Sequence, residues 1–156
     1  MSELTEFSVD NSIYSIPEDR HYARETHMWA KYDSTTGQVK VGIDALGLTA
    51  LGDLAYVTLF PVGTVVKRGM RLGTLEAAKM TGGLESPVGG EIVALNGDAV
   101  RNPALVNQTP YSAGWLVILQ PDDWQTESQQ LISGDRLPEW VKSEIERYRD
   151  QGWIDR

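Results

Sequence analysis

The chain of 156 residues contains no cysteine and only two histidines. It can therefore form no disulfide, offers no thiolate ligand to a metal ion and has no cysteine nucleophile. Neither His21 nor His27 has acidic residues or further ligands at a spacing typical of a metal site or an acid–base pair. The sequence thus predicts no catalytic residue and no metal site, and His27, close to Trp29, is expected to pack at the end of a strand.

The chain also lacks an excess of positive charge. It carries 14 basic and 22 acidic residues, a net charge of −8, which argues against binding to nucleic acid or to anionic membranes. No apolar run approaches the roughly 20 residues that span a bilayer. The first residues, MSELTEFSVDNS, have neither the basic segment nor the apolar segment of a signal peptide. We therefore expect a soluble, cytoplasmic protein that works as a monomer.

Short strand-like runs dominate the middle of the chain. Between residues 54 and 119, apolar runs are repeatedly interrupted by Gly, Pro, Asn or Asp, which predicts a sandwich or small barrel. Upstream, HMWAKYD and VKVGID predict two strands joined by a polar turn. A short helix is expected between these two strands and the β-rich region. Asp44 is expected to cap its start, and Gly52 to end it.

The two ends of the chain differ from this β-rich part. We expect an irregular lead-in over residues 1–16, attached to the body by the apolar side chains of Ile13, Tyr14 and Ile16. Residues 17–120 are expected to form the main domain, and residues 121–156 a helical extension packed against it.

Two helices are predicted in the carboxy-terminal extension. The first lies before Gly134 and is capped by Asp122. The second runs from Pro138 towards Gly152 and is amphipathic. Its apolar face is expected to pack against the β core and contains Val141, Ile145 and Tyr148.

A lysine lies at the turn of a predicted hairpin, RLGTLEAAKMTGGLESP. A two-residue loop at Lys79 and Met80 would place Leu75 opposite Leu84, with both side chains directed into the core. The neighbours Ala77, Ala78, Gly82 and Gly83 are small, so the Lys79 amine is expected to project from an uncluttered tip. For an isolated lysine, an ordinary solvated side chain would be the simplest interpretation.

The surrounding motifs indicate more than a surface lysine. Together they resemble the glycine-cleavage H-protein family of lipoyl carriers, in the order of that family and over residues 17–120. The matching segments are HMW (His27–Trp29), VGID (Val41–Asp44), LGD (Leu51–Asp53), LFPVG (Leu59–Gly63, with Phe60 as an extra residue), Glu76 with Lys79, SPVGG from Ser86, Asn96, NPALVN from Asn102 and PYSAGW (Pro110–Trp115).

This resemblance implies a mainly β fold with peripheral helices. The family fold is a barrel-sandwich hybrid (hammerhead) of two small antiparallel sheets, with the modified lysine on an exposed hairpin. The resemblance implies covalent lipoate on Lys79, attached by a lipoate ligase or by lipoyl-assembly enzymes. The chain itself would be a carrier, not an enzyme, because the dithiolane supplies redox sulfur chemistry that no side chain here can perform.

The residues around Lys79 depart from the usual family pattern. The segment Glu76–Met80 reads EAAKM, and the last predicted helix runs beyond the usual end of the family. In these features the chain is more similar to H-like lipoate-binding proteins that serve heterodisulfide-reductase-like complexes in sulfur oxidation. That similarity implies an arm carrying sulfur or electrons. The alternative is the glycine cleavage system, with glycine decarboxylase, aminomethyltransferase and dihydrolipoamide dehydrogenase as partners.

Two further interpretations concern the flanks of Lys79. AAKM is close to the modification motif of biotin carrier domains, but Ala78 stands where those domains have methionine, and they lack HMW and PYSAGW. Glu76, Ala78 and Met80 are candidates for recognition by the modifying enzyme or a partner. Lys67, Arg68 and Arg71 form a basic cluster, interpreted first as a solvated edge and alternatively as a docking patch for an acidic partner.

Overall fold

The structure, a computed structural model, describes the backbone of residues 4–9 and 12–154 and the side chains of residues 14–154. The strands are β1 (Leu4–Val9), β2 (Ser12–Pro17), β3 (His21–Tyr22), β4 (Met28–Asp33), β5 (Gln38–Ile43), β6 (Leu54–Leu59), β7 (Val65–Val66), β8 (Arg71–Ala77), β9 (Thr81–Glu85), β10 (Gly90–Leu95) and β11 (Val117–Pro121). The helices are α1 (Ala45–Leu51), α2 (Gly97–Arg101), α3 (Ala104–Gln108), α4 (Trp124–Glu127) and α5 (Leu137–Asp150), with 3₁₀ turns at Ser128–Gln130 and Gly134–Arg136.

Two antiparallel sheets form the main body, as the sequence predicts. One sheet has six strands in the order β3-β4-β5-β11-β10-β7, and the other has three strands in the order β6-β8-β9. Apolar side chains from both sheets share one core, which includes Val41, Ile92 and Leu119 from the larger sheet and Val57, Leu72, Leu75 and Leu84 from the smaller. The mainly β fold with carboxy-terminal helices is therefore confirmed.

Helix α1 forms where the sequence predicts it. The Asp44 carboxylate accepts a hydrogen bond from the backbone N–H of Gly47 at 2.8 Å, which satisfies one of the free donors at the start of the helix. At the other end Gly52 has a φ of 80°, a conformation that glycine adopts without steric cost. The helix thus joins β5 to β6 in a compact corner.

The amino-terminal segment is not irregular, and here the sequence-based expectation was wrong. Strands β1 and β2 pair with each other as an antiparallel hairpin, from Leu4 opposite Pro17 to Val9 opposite Ser12. Pairing within the segment satisfies backbone groups that an irregular lead-in would leave to water. Tyr14 and Ile16 are buried, as expected. The side chain of Ile13 lies outside the described part of the chain.

The first carboxy-terminal helix is shorter than expected, and its cap is Asp123 instead of Asp122. The Asp123 carboxylate accepts a hydrogen bond from the N–H of Thr126 at 3.3 Å. The backbone N–H of Asp122 instead donates to the carbonyl of Gly89 at 3.0 Å, so Asp122 still continues the pairing of β11 with the segment that leads into β10. This long-range bond sets the start of the helix, and the sequence around Asp122 does not reveal it.

Helix α5 is amphipathic, as predicted, and it begins at Leu137. Its buried face includes Val141, Ile145 and Tyr148. They join a second apolar cluster, which also includes Trp140 and residues of β2, β3, β4 and α1. The last helix is therefore packed against the amino-terminal half of the chain, close to α1.

Candidate functional site

Lys79 lies at the tip of the hairpin formed by β8 and β9, but the register differs from the predicted one. Ala77 N–H donates to the Met80 carbonyl at 2.9 Å, so the two-residue loop is Ala78–Lys79 instead of Lys79–Met80. Leu75 consequently lies opposite Gly82, whereas Leu84 lies opposite Gly73. Leu75 and Leu84 still enter the core, because a two-residue offset leaves them on the same face.

Contacts with the end of α1 and the segment directly after it explain this register. The N–H of Ala78 donates to the Asp53 carbonyl at 2.9 Å, and the N–H of Lys79 donates to the Leu51 carbonyl at 3.0 Å. Neither loop residue has the positive φ that two-residue hairpin loops favour. The hairpin tip is therefore held by tertiary hydrogen bonds, and its local turn propensity is secondary.

The Lys79 side chain is exposed. The sequence suggested an amine without contacts, but the amine does have a hydrogen-bond partner. Its Nζ donates to the Thr49 carbonyl at 3.1 Å. Carbonyl groups in the last turn of a helix lack intrahelical partners and carry partial negative charge, so they attract a cation. Helix α1 thus anchors the backbone of the tip and orients the amine beside it.

Gly52 permits this close approach. A Cβ atom at this position would lie 3.3 Å from both Ala78 Cβ and Lys79 Cγ, and the φ of 80° would strain any other residue. The glycine in the LGD segment therefore serves the contact between α1 and the lysine hairpin.

A cleft of about 210 Å³ opens next to the tip. Strand β9, an edge of the smaller sheet, forms one wall, and α1 forms another with Gly47, Ala50 and Leu51. Tyr148 and Trp153 close the third side from the carboxy-terminal end of the chain. The cleft is mostly apolar and begins at Met80, the residue directly after the lysine.

The other residues singled out from the sequence take different positions around the tip. Glu76 and Ala78 are exposed next to Lys79, whereas Met80 is half-buried and lines the cleft. The basic cluster of Lys67, Arg68 and Arg71 is exposed and lies at the start of β8, where the backbone of Arg71 is about 20 Å from the tip at 3.3 Å per residue. The Arg71 side chain runs back along the sheet as far as Gly83. The basic cluster therefore does not belong to the lysine site.

His27 occupies a buried ionic network that the sequence interpretation missed. Its Nδ1 lies 2.7 Å from a carboxylate oxygen of Asp44, and its Nε2 lies 2.8 Å from a carboxylate oxygen of Glu144. The His27 ring is also stacked on Trp140, with 5.1 Å between ring centroids. The position at a strand end is confirmed. The acidic partners of His27 lie far from it in the sequence, so the absence of acidic residues at a typical spacing did not reveal them.

The spacing of the three residues hides this network, since Asp44 and Glu144 lie 17 and 117 positions from His27. One signal was present in the sequence. Glu144 falls between Val141 and Ile145 on the apolar face of α5, where an unpaired carboxylate would be costly. A charged residue on the buried face of a helix indicates a buried partner.

Opposing effects set the pKa of these groups. Burial by itself would lower the pKa of His27, but the charges and hydrogen bonds of Asp44 and Glu144 outweigh it and raise the pKa to about 9. Burial would likewise raise the pKa of Glu144, yet hydrogen bonds from His27 and Arg147 lower it to about 2. The protonated imidazole therefore links the start of α1 to the middle of α5.

This network predicts that stability depends on pH. The folded-state pKa of His27, about 9, exceeds its ordinary value of 6.5, so its contribution is complete below pH 6.5 and is lost as pH rises towards 9. We expect the free energy of unfolding, measured by urea denaturation, to fall by a few kcal/mol between these values. Burial lowers the pKa of His21 below its ordinary value of 6.5, so the titration of His21 does not contribute to the fall in stability between pH 6.5 and 9.

The control for the pH experiment is His27→Asn, in which this fall should disappear because the titrating group is gone. A wild-type protein that is equally stable at both ends of the window would contradict the assignment of charge to His27.

The described residues offer no alternative centre for metal chemistry. Among the side chains of residues 14–154, no three from His, Asp or Glu are grouped so that they could hold a metal ion. In the same part of the chain, no helix is long and apolar enough to cross a membrane.

Comparison with known proteins identifies the family. The sequence model of the glycine cleavage H-protein matches residues 20–144. The chain belongs to the glycine cleavage H-protein family. It is 40% identical over 129 residues to the glycine cleavage system H protein of Thermus thermophilus, which covers 83% of this chain and 98% of that protein. Over 115 residues it is 43% identical to the corresponding protein of Mycolicibacterium vanbaalenii, covering 74% and 84% of the two chains.

A solved structure supports the same conclusion. The crystal structure of a glycine cleavage system H protein from Mycobacterium marinum superposes with a TM-score of 0.68 at 34% identity, covering 83% of this chain and 98% of that one. Members of the family are non-catalytic carriers with lipoate bound covalently to a lysine. The expectations of a lipoyl carrier, of lipoate as cofactor and of no enzymatic activity are thereby confirmed.

Proposed function

We propose that Lys79 carries the lipoyl group and that this chain is the H protein of a glycine cleavage system. The chain belongs to a family of lipoyl carriers, and the observation that carries the proposal is the position of its Lys79. The side chain is exposed at a hairpin tip that tertiary hydrogen bonds hold in place. When bound, lipoate supplies the redox chemistry of a dithiolane. The chain supplies no cysteine that could exchange with it.

The residues around Lys79 fit such a group. The Leu51 carbonyl holds the backbone of the lysine, and the Thr49 carbonyl accepts a hydrogen bond from its unmodified amine. The backbone at the base of the arm is therefore held in place. The cleft beside Met80 offers an apolar surface within reach of the attachment point. We further propose that residues 17–120 form the carrier domain, preceded by the lead-in and followed by the helical extension, and that the protein is a cytoplasmic monomer.

The pathway assignment rests on the relatives named above, which are called glycine cleavage system H proteins. By analogy, the partners of this chain are glycine decarboxylase, aminomethyltransferase and dihydrolipoamide dehydrogenase. This reverses the order favoured by the sequence, which ranked a heterodisulfide-reductase-like sulfur-oxidation system first. That role stays a second candidate because Tyr148 and Trp153, which line the cleft, lie beyond residue 144, where the family match ends.

The attachment is tested by the intact mass of the protein purified from its native host, followed by peptide mapping. We expect one lipoyl adduct on Lys79. An unmodified chain, or an adduct at a different lysine, would contradict the proposal. A biotin adduct would instead support the biotin-carrier interpretation.

Reconstitution distinguishes the two pathways. Lipoylated protein is mixed with glycine decarboxylase, glycine and pyridoxal phosphate, and release of CO₂ and aminomethylation of the arm are measured. The same protein is then offered to a heterodisulfide-reductase-like complex with a sulfane-sulfur donor. We expect turnover with the decarboxylase at rates near those of an authentic H protein. Turnover with the sulfur-oxidising complex alone would favour the second candidate.

A further inference from the structure

The segment between α1 and β6 supports the lysine tip on one side and has a second partner on its other side. Two of its carbonyls, those of Leu51 and Asp53, accept hydrogen bonds from the hairpin tip. The backbone groups that alternate with them bond to a single side chain. Asn107 Nδ2 donates to the Gly52 carbonyl at 3.1 Å, and Asn107 Oδ1 accepts from the Leu54 N–H at 2.9 Å. The segment therefore lies between the tip and Asn107.

The carboxamide of Asn107 takes the place of a neighbouring strand. In a parallel ladder, one residue donates its N–H to the residue before its partner and accepts a bond from the residue after it. Asn107 makes these two bonds around Asp53. Strand β6 lies at the edge of the smaller sheet. Asn107 thus satisfies backbone groups at the start of this edge, one of them on the buried residue Leu54.

The two backbone partners explain why the residue at position 107 is an asparagine. An N–H needs an acceptor and a carbonyl needs a donor, and the asparagine side chain carries one of each on a short planar group. A carboxylate would turn a second oxygen towards the Gly52 carbonyl, and an alanine would bond to neither backbone group. The pair of bonds also fixes which way the amide is turned.

Helix α3, which carries Asn107, is itself held firmly. Its residue Val106 is buried in the core shared by the two sheets. The residue after the helix, Thr109, accepts a hydrogen bond at its carbonyl from the Gly114 N–H at 2.8 Å. A Cβ atom at position 114 would lie 2.6 Å from that carbonyl oxygen, so a side chain there would force the two segments apart. The NPALVN and PYSAGW motifs, which are remote from Lys79 in the sequence, meet at this support.

We propose that Asn107 is a positioning residue for the carrier lysine. Its two hydrogen bonds hold the segment between α1 and β6, and that segment holds the backbone of Ala78 and Lys79. This inference rests on Lys79 being the lipoylated residue. Because neither loop residue has the positive φ of a favoured two-residue turn, the tip depends on this chain of bonds for its shape.

A loosened tip has a predictable effect on the partners of the arm. It lowers the fraction of carrier molecules that present the attachment point in the geometry that a partner enzyme binds. The apparent affinity falls in proportion to that fraction, whereas the reaction within the bound complex stays the same. Loss of Asn107 should therefore raise the KM for the carrier and leave kcat nearly unchanged.

The first test observes the tip directly, by amide hydrogen exchange measured with NMR on the unmodified chain. We expect Asn107→Ala to speed exchange at the N–H groups of Ala78 and Lys79 about tenfold. The reason is that the two carbonyls that accept bonds from these groups are no longer fixed from behind.

The matched control is Ser86→Ala, which also removes a hydrogen bond from a side chain to the backbone, here from Ser86 Oγ to the Val88 carbonyl at 2.6 Å. Ser86 is buried and follows β9 at the end far from the tip. Urea denaturation measures the general loss of stability in both variants. Exchange at Ala78 and Lys79 should quicken in Asn107→Ala alone, because exposed loop amides exchange through local opening, not through global unfolding.

The second test measures turnover of the lipoylated variants with the partner enzyme that reconstitution identifies, which we expect to be glycine decarboxylase. Asn107→Ala should raise the KM for the carrier about fivefold at nearly unchanged kcat, and Ser86→Ala should change neither. If Asn107→Ala does not fold, Asn107→Asp takes its place. The carboxylate keeps the acceptor for the Leu54 N–H and loses the donor to the Gly52 carbonyl, so both effects are expected in the same direction.

Two outcomes would overturn the positioning role and leave the carrier function intact. One is exchange at Ala78 and Lys79 that is no faster in the Asn107 variant than in the Ser86→Ala control. The other is faster exchange at an unchanged KM, which would show that the bonds of Asn107 serve stability alone. Failure of the wild-type chain to accept lipoate at Lys79 would instead overturn the proposed function, and the exchange experiment does not depend on that step.

Discussion

Lys79→Arg is expected to fold like the wild type and to carry no lipoate. The side chain is exposed, so we expect the free energy of unfolding to change by less than about 0.5 kcal/mol. A guanidinium stays protonated at all pH values of interest and offers no neutral amine to attack an activated acyl group. Modification should therefore fall from complete to undetectable in intact-mass spectra, and turnover with partner enzymes should be lost.

The matched control for this variant is Lys67→Arg, which makes the same change at an exposed lysine in the basic cluster. It should be acylated at the wild-type rate and support full turnover. Detection of a lipoyl adduct on Lys79→Arg would show that a different residue is the attachment site. Loss of turnover in Lys67→Arg would show that the effect is not specific to the hairpin tip.

His27→Asn is expected to cause the largest loss of stability among the changes considered. Asparagine tolerates the φ of 60° found at this position, so the backbone should not be strained by the change. The substitution removes the cation between Asp44 and Glu144 and the stacking on Trp140. Breaking a buried ion pair by removing one partner costs about 3–5 kcal/mol.

Urea denaturation at pH 6.5 measures this effect, because the contribution of His27 is complete at that pH. Glu146→Gln is the control. It changes an exposed carboxylate on the same helix and should alter the free energy of unfolding by less than about 0.5 kcal/mol. If His27→Asn does not fold at all, Glu144→Gln tests the same network more gently, because His27 keeps Asp44 as a partner. Stability within 1 kcal/mol of wild type in both variants would contradict the role of the network.

Much of the fold follows from local sequence signals. Asp44 and Gly52 mark the ends of α1, and the apolar spacing of Val141, Ile145 and Tyr148 predicts α5, because caps and helical periodicity act over a few residues. The amino-terminal hairpin and the cap at Asp123 were missed. The hairpin depends on backbone hydrogen bonds between β1 and β2, and the cap depends on the bond from the Asp122 N–H to the Gly89 carbonyl. The sequence interpretation considered neither set of bonds.

The candidate site divides in the same way. The motifs around Lys79 identified the family and the residue proposed to be modified. The details of the tip came from the structure: the loop at Ala78–Lys79, the bond of Nζ to the Thr49 carbonyl and the pairing of β8 with β6. These depend on α1 and β6 lying next to the hairpin, 20 or more positions away in the chain.

By itself, the sequence determined the chemical character of this protein. The chain has no cysteine and no acid–base pair at a typical spacing, so its side chains offer little chemistry of their own. The family motifs on both sides of Lys79 indicate that the chain presents a cofactor instead. Tertiary structure alone decided which backbone groups hold the lysine and which carboxylates surround His27. The physical reason is that long-range hydrogen bonds and buried ion pairs depend on distances in space. Helix caps, helical periodicity and motifs depend on residues that are close together in the sequence.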